Sequence, residues 1–462
     1  MKSFAWFCLA FSALLAPHLT AMDQAQASGF AIREQSAAAQ GNAFAGATAG
    51  AEDVTYLFFN PAVLGRLENT QVAGVLSFVA PQSEFRGGSA STGAFPPALP
   101  SFPIQGSQER DDIAKDFFVP AFYAMLVAND RLRFGLGINV PFGLESNYDR
   151  DWIGRYHALE SKLTIISLNP VVAFGVTDWI FLGVGFQAQY ADAELSNALD
   201  FGTIGTVLPV AAGGSPVPGA EPGNPDQDGF FKLEGDDWGY GWNAGLLVEP
   251  LPGTRFGLAY RSKVEHTFED DAEFSVPAPF DSAFAPTGLF RDTGAEADLT
   301  TPESWSAGFY HEIRARWAIM AEVSLTRWSR FEDLVIEFDN PAQPDNITDA
   351  DWKDTWFYAL GVTFRPAENW NLRAGVAHDQ SPVPDKTRIP RIPDEDRTWL
   401  SLGVQWQARP HLTLSAGYTH VWVEDSDINL KATDPGNAFR GDLAGEYDNA
   451  IDIATVQVNW LF

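Results

Sequence analysis

The chain has 462 residues, and 60 acidic side chains against 30 basic ones give it a formal net charge of −30. That balance excludes nucleic acid as a partner, because phosphates need Lys and Arg in excess. A single cysteine, Cys8, excludes a disulfide framework.

In chain order, Lys2 precedes an apolar run from Phe4 to Ala16, and Ala25-Gln26-Ala27 offers a small-x-small cleavage site. Residues 1–27 therefore read as a secretory signal peptide, too short to anchor in a membrane. Cys8 lies inside it, so the mature chain from Ser28 has no thiol chemistry. An exported, cysteine-free chain with 15 Trp and 35 Phe is either a large soluble β-protein or a membrane barrel. Residues 28–68 do not alternate, are dense in Ala and Gly, and have short helical potential around Arg33 to Ala39. They contain FFNPAVLG, and a second Asn-Pro-Ala occurs at Asn340 to Ala342. Paired turns of this kind suggest a water channel, but a spanning helix needs ~20 consecutive apolar residues, and nothing after the signal peptide supplies them. Asn60, Pro61 and Ala62 instead read as a turn in which the Asn60 amide satisfies backbone groups and Pro61 fixes φ. The small residues favour a hatch folded into a lumen over a simple tail.

From residue 69 to 462 the chain reads as strands. In RLRFGLGINV, Leu132, Phe134, Leu136, Ile138 and Val140 alternate with Arg131, Arg133, Gly135, Gly137 and Asn139. Successive side chains of a strand point to opposite faces, so one face is apolar and the other polar or small. The same pattern recurs at 180–190, 400–407 and 454–462. Fourteen strands are expected, near 69–81, 117–129, 131–144, 161–176, 179–194, 237–249 and 254–267. The second half supplies 302–314, 316–338, 354–365, 370–380, 397–408, 411–425 and 446–462. Even strands lead into tight turns and odd strands into long loops. An even count with loops sorted by length marks an outer-membrane barrel, whereas a sandwich has no reason to sort them. The expected fold is an all-β membrane protein, a 14-stranded antiparallel transmembrane β-barrel. The long loops also carry acid: segment 268–301 holds eight Asp or Glu against one Arg.

Several stretches in order resemble the FadL-type long-chain fatty-acid transporters, which include members for aromatic hydrocarbons. They are SGF at 28–30, FNPA at 59–62, VPFGLES at 140–146, DRDWIGRYHALES at 149–161 and LNP at 168–170. DDWGYGWNAGLL at 236–247, YRSKV at 260–264, TRWSRFEDL at 326–334, WKDTWFYALGV at 352–362, SPVPD at 381–385 and IPDEDRTWLSLG at 392–403 complete them. The resemblance implies a fourteen-stranded barrel with an N-terminal hatch at 28–68. It implies a ligand that rests in an apolar outer groove, then passes to an interior site touched by Ser28, Gly29 and Phe30. It further implies a kink in the third strand, at Pro141, Phe142 and Gly143, opening a lateral exit; proline, lacking an N–H, supplies a physical cause. Outer-membrane lipid, lipopolysaccharide and the barrel-assembly machinery, engaged through the strand ending in Phe462, are the implied partners.

Long-chain fatty acid is the expected cargo and neutral hydrocarbon the alternative. Where fatty-acid members carry basic residues, QYADAELSN carries Asp192 and Glu194. Inward-facing Arg133, Arg261 and Arg373 are the candidate lumenal carboxylate contacts, or else salt-bridge partners of groups such as Glu322. No nucleotide loop and no metal or lipase motif accompanies the dispersed histidines, so neither cofactor, metal nor catalysis is expected. HDQS at 378–381 reads as a strand end.

Overall fold

The computed structural model describes residues 29–95 and 100–462; the expected signal peptide and Ser28 lie outside the described residues. One antiparallel sheet contains β1 (Gln71–Ser91), β2 (Phe117–Val127), β3 (Leu132–Asn147), β4 (Glu160–Gly175), β5 (Ile180–Asp200) and β6 (Asp228–Leu251). It continues through β7 (Thr254–Arg261), β8 (Val264–Ser275), β9 (Thr293–Thr301), β10 (Ser304–Arg314), β11 (Trp317–Thr326) and β12 (Asp333–Phe338). Then follow β13 (Asn346–Asp349), β14 (Thr355–Ala367), β15 (Trp370–Asp379), β16 (Arg397–Arg409), β17 (Leu412–Val423), β18 (Ser426–Leu430) and β19 (Asp442–Leu461). Pairing of Gln71 with Leu461 and onward closes β1 on β19.

Fourteen staves build this closed barrel. Short breaks split four of them, at 262–263, 302–303, 327–332 and 424–425, and β13 is an outer partner of β12. Alternation explains the wall. Leu182, Val184 and Phe186 are exposed on the outside, whereas Gln187 and Gln189 of the same strand are buried within. Aromatic pairs ring both ends, as in barrels held between two membrane interfaces. Trp317–Phe364 and Trp370–Trp406 lie near the short turns, with ring centroids 4.5 and 5.7 Å apart. Trp242, Tyr260 and Trp305 stack toward the long loops, at 4.8 and 4.5 Å.

Two expectations need correction. The strands run further toward the long loops than expected: β1 reaches Ser91, β5 reaches Asp200, β8 reaches Ser275 and β9 begins at Thr293. Segments read as loops at 82–116, 195–236 and 268–301 are therefore partly strand, and two of them add helices, α2 (Phe201–Ala211) and α3 (Ala278–Phe284). The single strand expected at 316–338 is broken, because a 3-10 turn at Trp328–Arg330 carries Trp328 into the interior.

Within the ring lies the N-terminal segment. Its helix α1 (Ala37–Gln40) is a single turn capped by Ser36, whose Oγ accepts the Ala39 N–H at 3.2 Å. Two 3-10 turns follow, Val54–Phe58 and Pro61–Arg66. The segment touches the wall on many sides: Ala37 N donates to Gln457 at 2.9 Å, Asn42 Nδ2 to Val362 O at 2.9 Å, and Thr48 N to Glu322 at 3.1 Å. A belt of inward glycines makes this approach possible. A Cβ on Gly245 would strike the Asn60 side chain, one on Gly257 the Thr48 carbonyl, and one on Gly375 the Asn42 carbonyl.

Placing Val at Gly375 should leave the barrel folded but force the segment off the wall. Trypsin cleavage at Arg33 in the purified variant, with resistance in the parent protein, is the expected outcome; equal resistance would show that the belt tolerates side chains.

Candidate functional site

The kink in β3 organises the interior. β2 pairs with β1 over its whole upper part, from Phe117↔Val79 to Met125↔Gln71. It pairs with β3 only between Val127↔Arg133 and Phe122↔Ile138. Above Ile138 the β3–β4 register slips between Asn139 and Phe142. An isolated bridge, Ala114↔Ser146, rejoins the wall further up. A window of unpaired wall thus lies between Phe117–Ala121 and the kink.

The peptide groups that the kink withdraws from β2 are taken by the N-terminal segment. Ile32 N donates to Pro141 O at 2.8 Å, Gly143 N donates to Phe30 O at 2.9 Å, and Gln35 Nε2 donates to Val140 O at 2.7 Å. Phe30, Pro141, Phe142 and Gly143, distant in sequence, are therefore joined by backbone hydrogen bonds. Phe30 is then enclosed by aromatic rings: Trp328 at 4.7 Å, Trp352 at 5.7 Å, Phe142 at 5.8 Å and Phe331 at 6.1 Å between centroids. These edge-on and tilted contacts are favourable aromatic geometry. Gly29 has φ of +61° and lies so close to Trp352 and Trp328 that only glycine fits. Its N–H donates to Asp394 Oδ2 at 2.9 Å, and Asp394 is held in turn by Ser381 Oγ at 2.9 Å and by Arg397.

Two cavities of about 90 Å³ each flank this cluster. The outer cavity is walled by Phe30, Leu144, Leu163, Phe268, Leu299 and Phe331, with Arg391 at its edge. Arg391 donates to Glu160 O at 2.9 Å, Ser161 Oγ at 2.7 Å and Ser196 O at 3.1 Å. Those partners are neutral, and no ion pair involves Arg391 among the described residues. Burial draws its pKa down to about 9, which leaves it charged at neutral pH. Lys162, Glu234 and Asp298 also line this cavity. A mainly apolar cavity that holds a cation bonded only to neutral groups can take an amphiphile, its apolar body against the wall and its anion at Arg391. The inner chamber lies on the kink side, lined by Pro141, Phe142, Arg33 and Arg261 among others.

The other expected site residues fall elsewhere. Asn60 Nδ2 donates to Thr48 O at 2.7 Å and Leu246 O at 3.1 Å, while its Oδ1 accepts the Ala62 N–H at 2.9 Å. Pro61 starts the following 3-10 turn, its backbone lying against Gly183. Arg133 sits near the short turns, donating to Leu67 O at 2.9 Å and Asn129 O at 2.5 Å. Arg373 is paired with Glu52, so neither is free to meet a ligand. Glu322 is no arginine's partner; it accepts from Thr48. Glu194 pairs with Lys232 at 2.8 Å. Ser381 gives its hydroxyl to Asp394 and not to His378, so HDQS holds no nucleophile–base pair. Arg391 escapes a reading by strand parity because it lies in a loop. Its setting in Ile389-Pro390-Arg391-Ile392-Pro393, a cation among apolar neighbours, is the signal that marks it.

A family model described as outer membrane protein transport protein (OMPP1/FadL/TodX) matches residues 18–462. A long-chain fatty acid transport protein of Escherichia coli is 30% identical over 417 residues, covering 89% of this chain and 87% of its own. The crystal structure of a Pseudomonas aeruginosa FadL homologue superposes with a TM-score of 0.82 at 24% identity, covering 94% of this chain and 99% of that one. The Pseudomonas putida toluene transporter TodX gives 0.66 at 16% identity, with 94% and 100% covered.

Phe30→Asp should place an unpaired carboxylate in the aromatic cluster and unseat the segment. Binding of a long-chain amphiphilic probe should fall by roughly tenfold or more, while heat-modifiable migration in gels still reports a folded barrel. Unchanged probe affinity would remove Phe30 from the site.

Proposed function

The chain belongs to the outer membrane protein transport protein family (OMPP1/FadL/TodX), and from that premise we propose that it admits long-chain fatty acids passively. The family consists of outer-membrane transporters of hydrophobic compounds, not enzymes. Arg391 at the edge of the outer cavity carries the choice of cargo. A fatty acid satisfies both the apolar wall and the cation, whereas a neutral hydrocarbon fills the wall and leaves Arg391 unpaired. Each buried methylene contributes ~0.8 kcal/mol, so the acyl chain moves readily from a polar cell surface into such a cavity.

The route begins at the apolar cluster of the outer loops, where Phe201 of α2 meets Phe280 and Phe284 of α3 and nearby Phe290. From there the acid enters the outer cavity and presses on Phe30. Residues 28–68 act as the hatch, with Phe30 as its moving end. Displacing Phe30 breaks the hydrogen bonds to Pro141 and Gly143, and the kink responds. The cargo then leaves sideways through the unpaired window between β2 and β3. Movement is downhill and needs no coupled energy source. The name of the Escherichia coli relative supports the acid, and that of the toluene transporter keeps hydrocarbon as the competing cargo.

Arg391→Met should weaken oleate binding roughly tenfold, the worth of a lost charge-assisted hydrogen bond, and leave oleyl alcohol binding unchanged. Equal effects on both ligands would favour hydrocarbon. Pro141→Val restores an N–H and a strand-favouring side chain at the kink, so oleate uptake by cells should slow while binding persists. Normal uptake in that variant would close the lateral route.

A further inference from the structure

We propose that the inner chamber is a second carboxylate station, formed by Arg261 with Arg33, where an acid released from the outer cavity pauses before the window beside Pro141. This rests on the fatty-acid reading above. Both guanidiniums line the chamber. Among the described residues, no carboxylate comes within 4.0 Å of either. Arg261 donates to the Gln187 side chain and to Phe58 O at 2.6 Å, and lies 4.7 Å from the centre of the Phe58 ring. Arg33 lies 4.1 Å from the centre of the Phe357 ring. Glu34, Glu322 and Asp379 feel the charge of Arg33 without reaching contact.

The contrast with Arg373 is informative. That arginine is fully buried and has Glu52 as its counter-ion, whereas Arg261 and Arg33 are partly buried and have none. Burying a cation without one is unfavourable unless an anion arrives, and a carboxylate meets a guanidinium through two parallel charge-assisted hydrogen bonds. The chamber's remaining polar wall is neutral, with Asn243, Ser304, Ser306, Ser324 and Thr326 able to solvate a head group without adding charge. The two stations hand the carboxylate from Arg391 to Arg261, and its tail follows past Phe30.

Full-length parent protein, Arg261→Met and Arg261→Lys are to be compared in Gram-negative cells lacking their own transporter. The two readouts are uptake of oleate and of oleyl alcohol, together with oleate affinity of the purified proteins. Arg261→Met should slow oleate uptake roughly tenfold, spare oleyl alcohol uptake and leave oleate affinity at the outer cavity unchanged. Arg261→Lys should recover much of the acid uptake. Equal slowing of acid and alcohol would mean that Arg261 only braces the Phe58 carbonyl, and unaltered oleate uptake would likewise overturn the station. Arg391→Met acts on affinity and Arg261→Met on transit, so failure of the outer site and failure of the chamber are distinguishable.

Discussion

A peptide group in hydrocarbon has no water to turn to, and each one left without a partner costs several kcal/mol. The barrel meets that demand by closing β1 on β19. At one place it does not meet it by itself: β3 leaves β2 above Ile138, and the carbonyls of Val140 and Pro141 and the N–H of Gly143 lose their neighbouring strand. Gln35, Ile32 and Phe30 supply the replacements. The N-terminal segment thus completes the wall at its weakest point. Whatever displaces Phe30 acts directly on the strand whose departure leaves the window.

The same economy governs the lumen. Its inward residues include hydrogen-bonding side chains, such as Gln457, which receives Ala37 N, glycines that admit backbone against backbone, and apolar side chains such as Leu247 and Met320 packed in the same cluster as the segment. Asn60 fits this arrangement by bonding two carbonyls, one on its own segment and one on β6. Most lumenal charge is neutralised locally, as with Arg373 and Glu52, or absorbed by carbonyls, as with Arg133. Arg391 and Arg261 are also bonded only to neutral groups, but they line cavities, so an anion placed there would improve their electrostatics.

Alternation makes the staves legible in the sequence because membrane on one side and a filled lumen on the other impose a strict period of two. The signal fades above the membrane, where β1 beyond Pro81 and β5 beyond Glu194 face water or packed loops on both sides; those extensions read as loop. It also misleads at 327–332, where Trp328 and Phe331 look like ordinary strand aromatics but belong to a turn folded inward. At the site, parity places Arg133 and Arg373 on the inner face correctly and says nothing of their height or partners. The ring of Trp328, Phe331 and Trp352 around Phe30 joins segments hundreds of residues apart, a proximity that no local spacing encodes.

The glycine belt also sets a chronology. A backbone lying flush against β6, β7 and β15 at once has no clearance to slide in from an end after the circle is complete. The first-made part of the chain must already be cradled by an open, curling sheet when β19 arrives to shut it, so the last seam sewn is what imprisons the earliest thread.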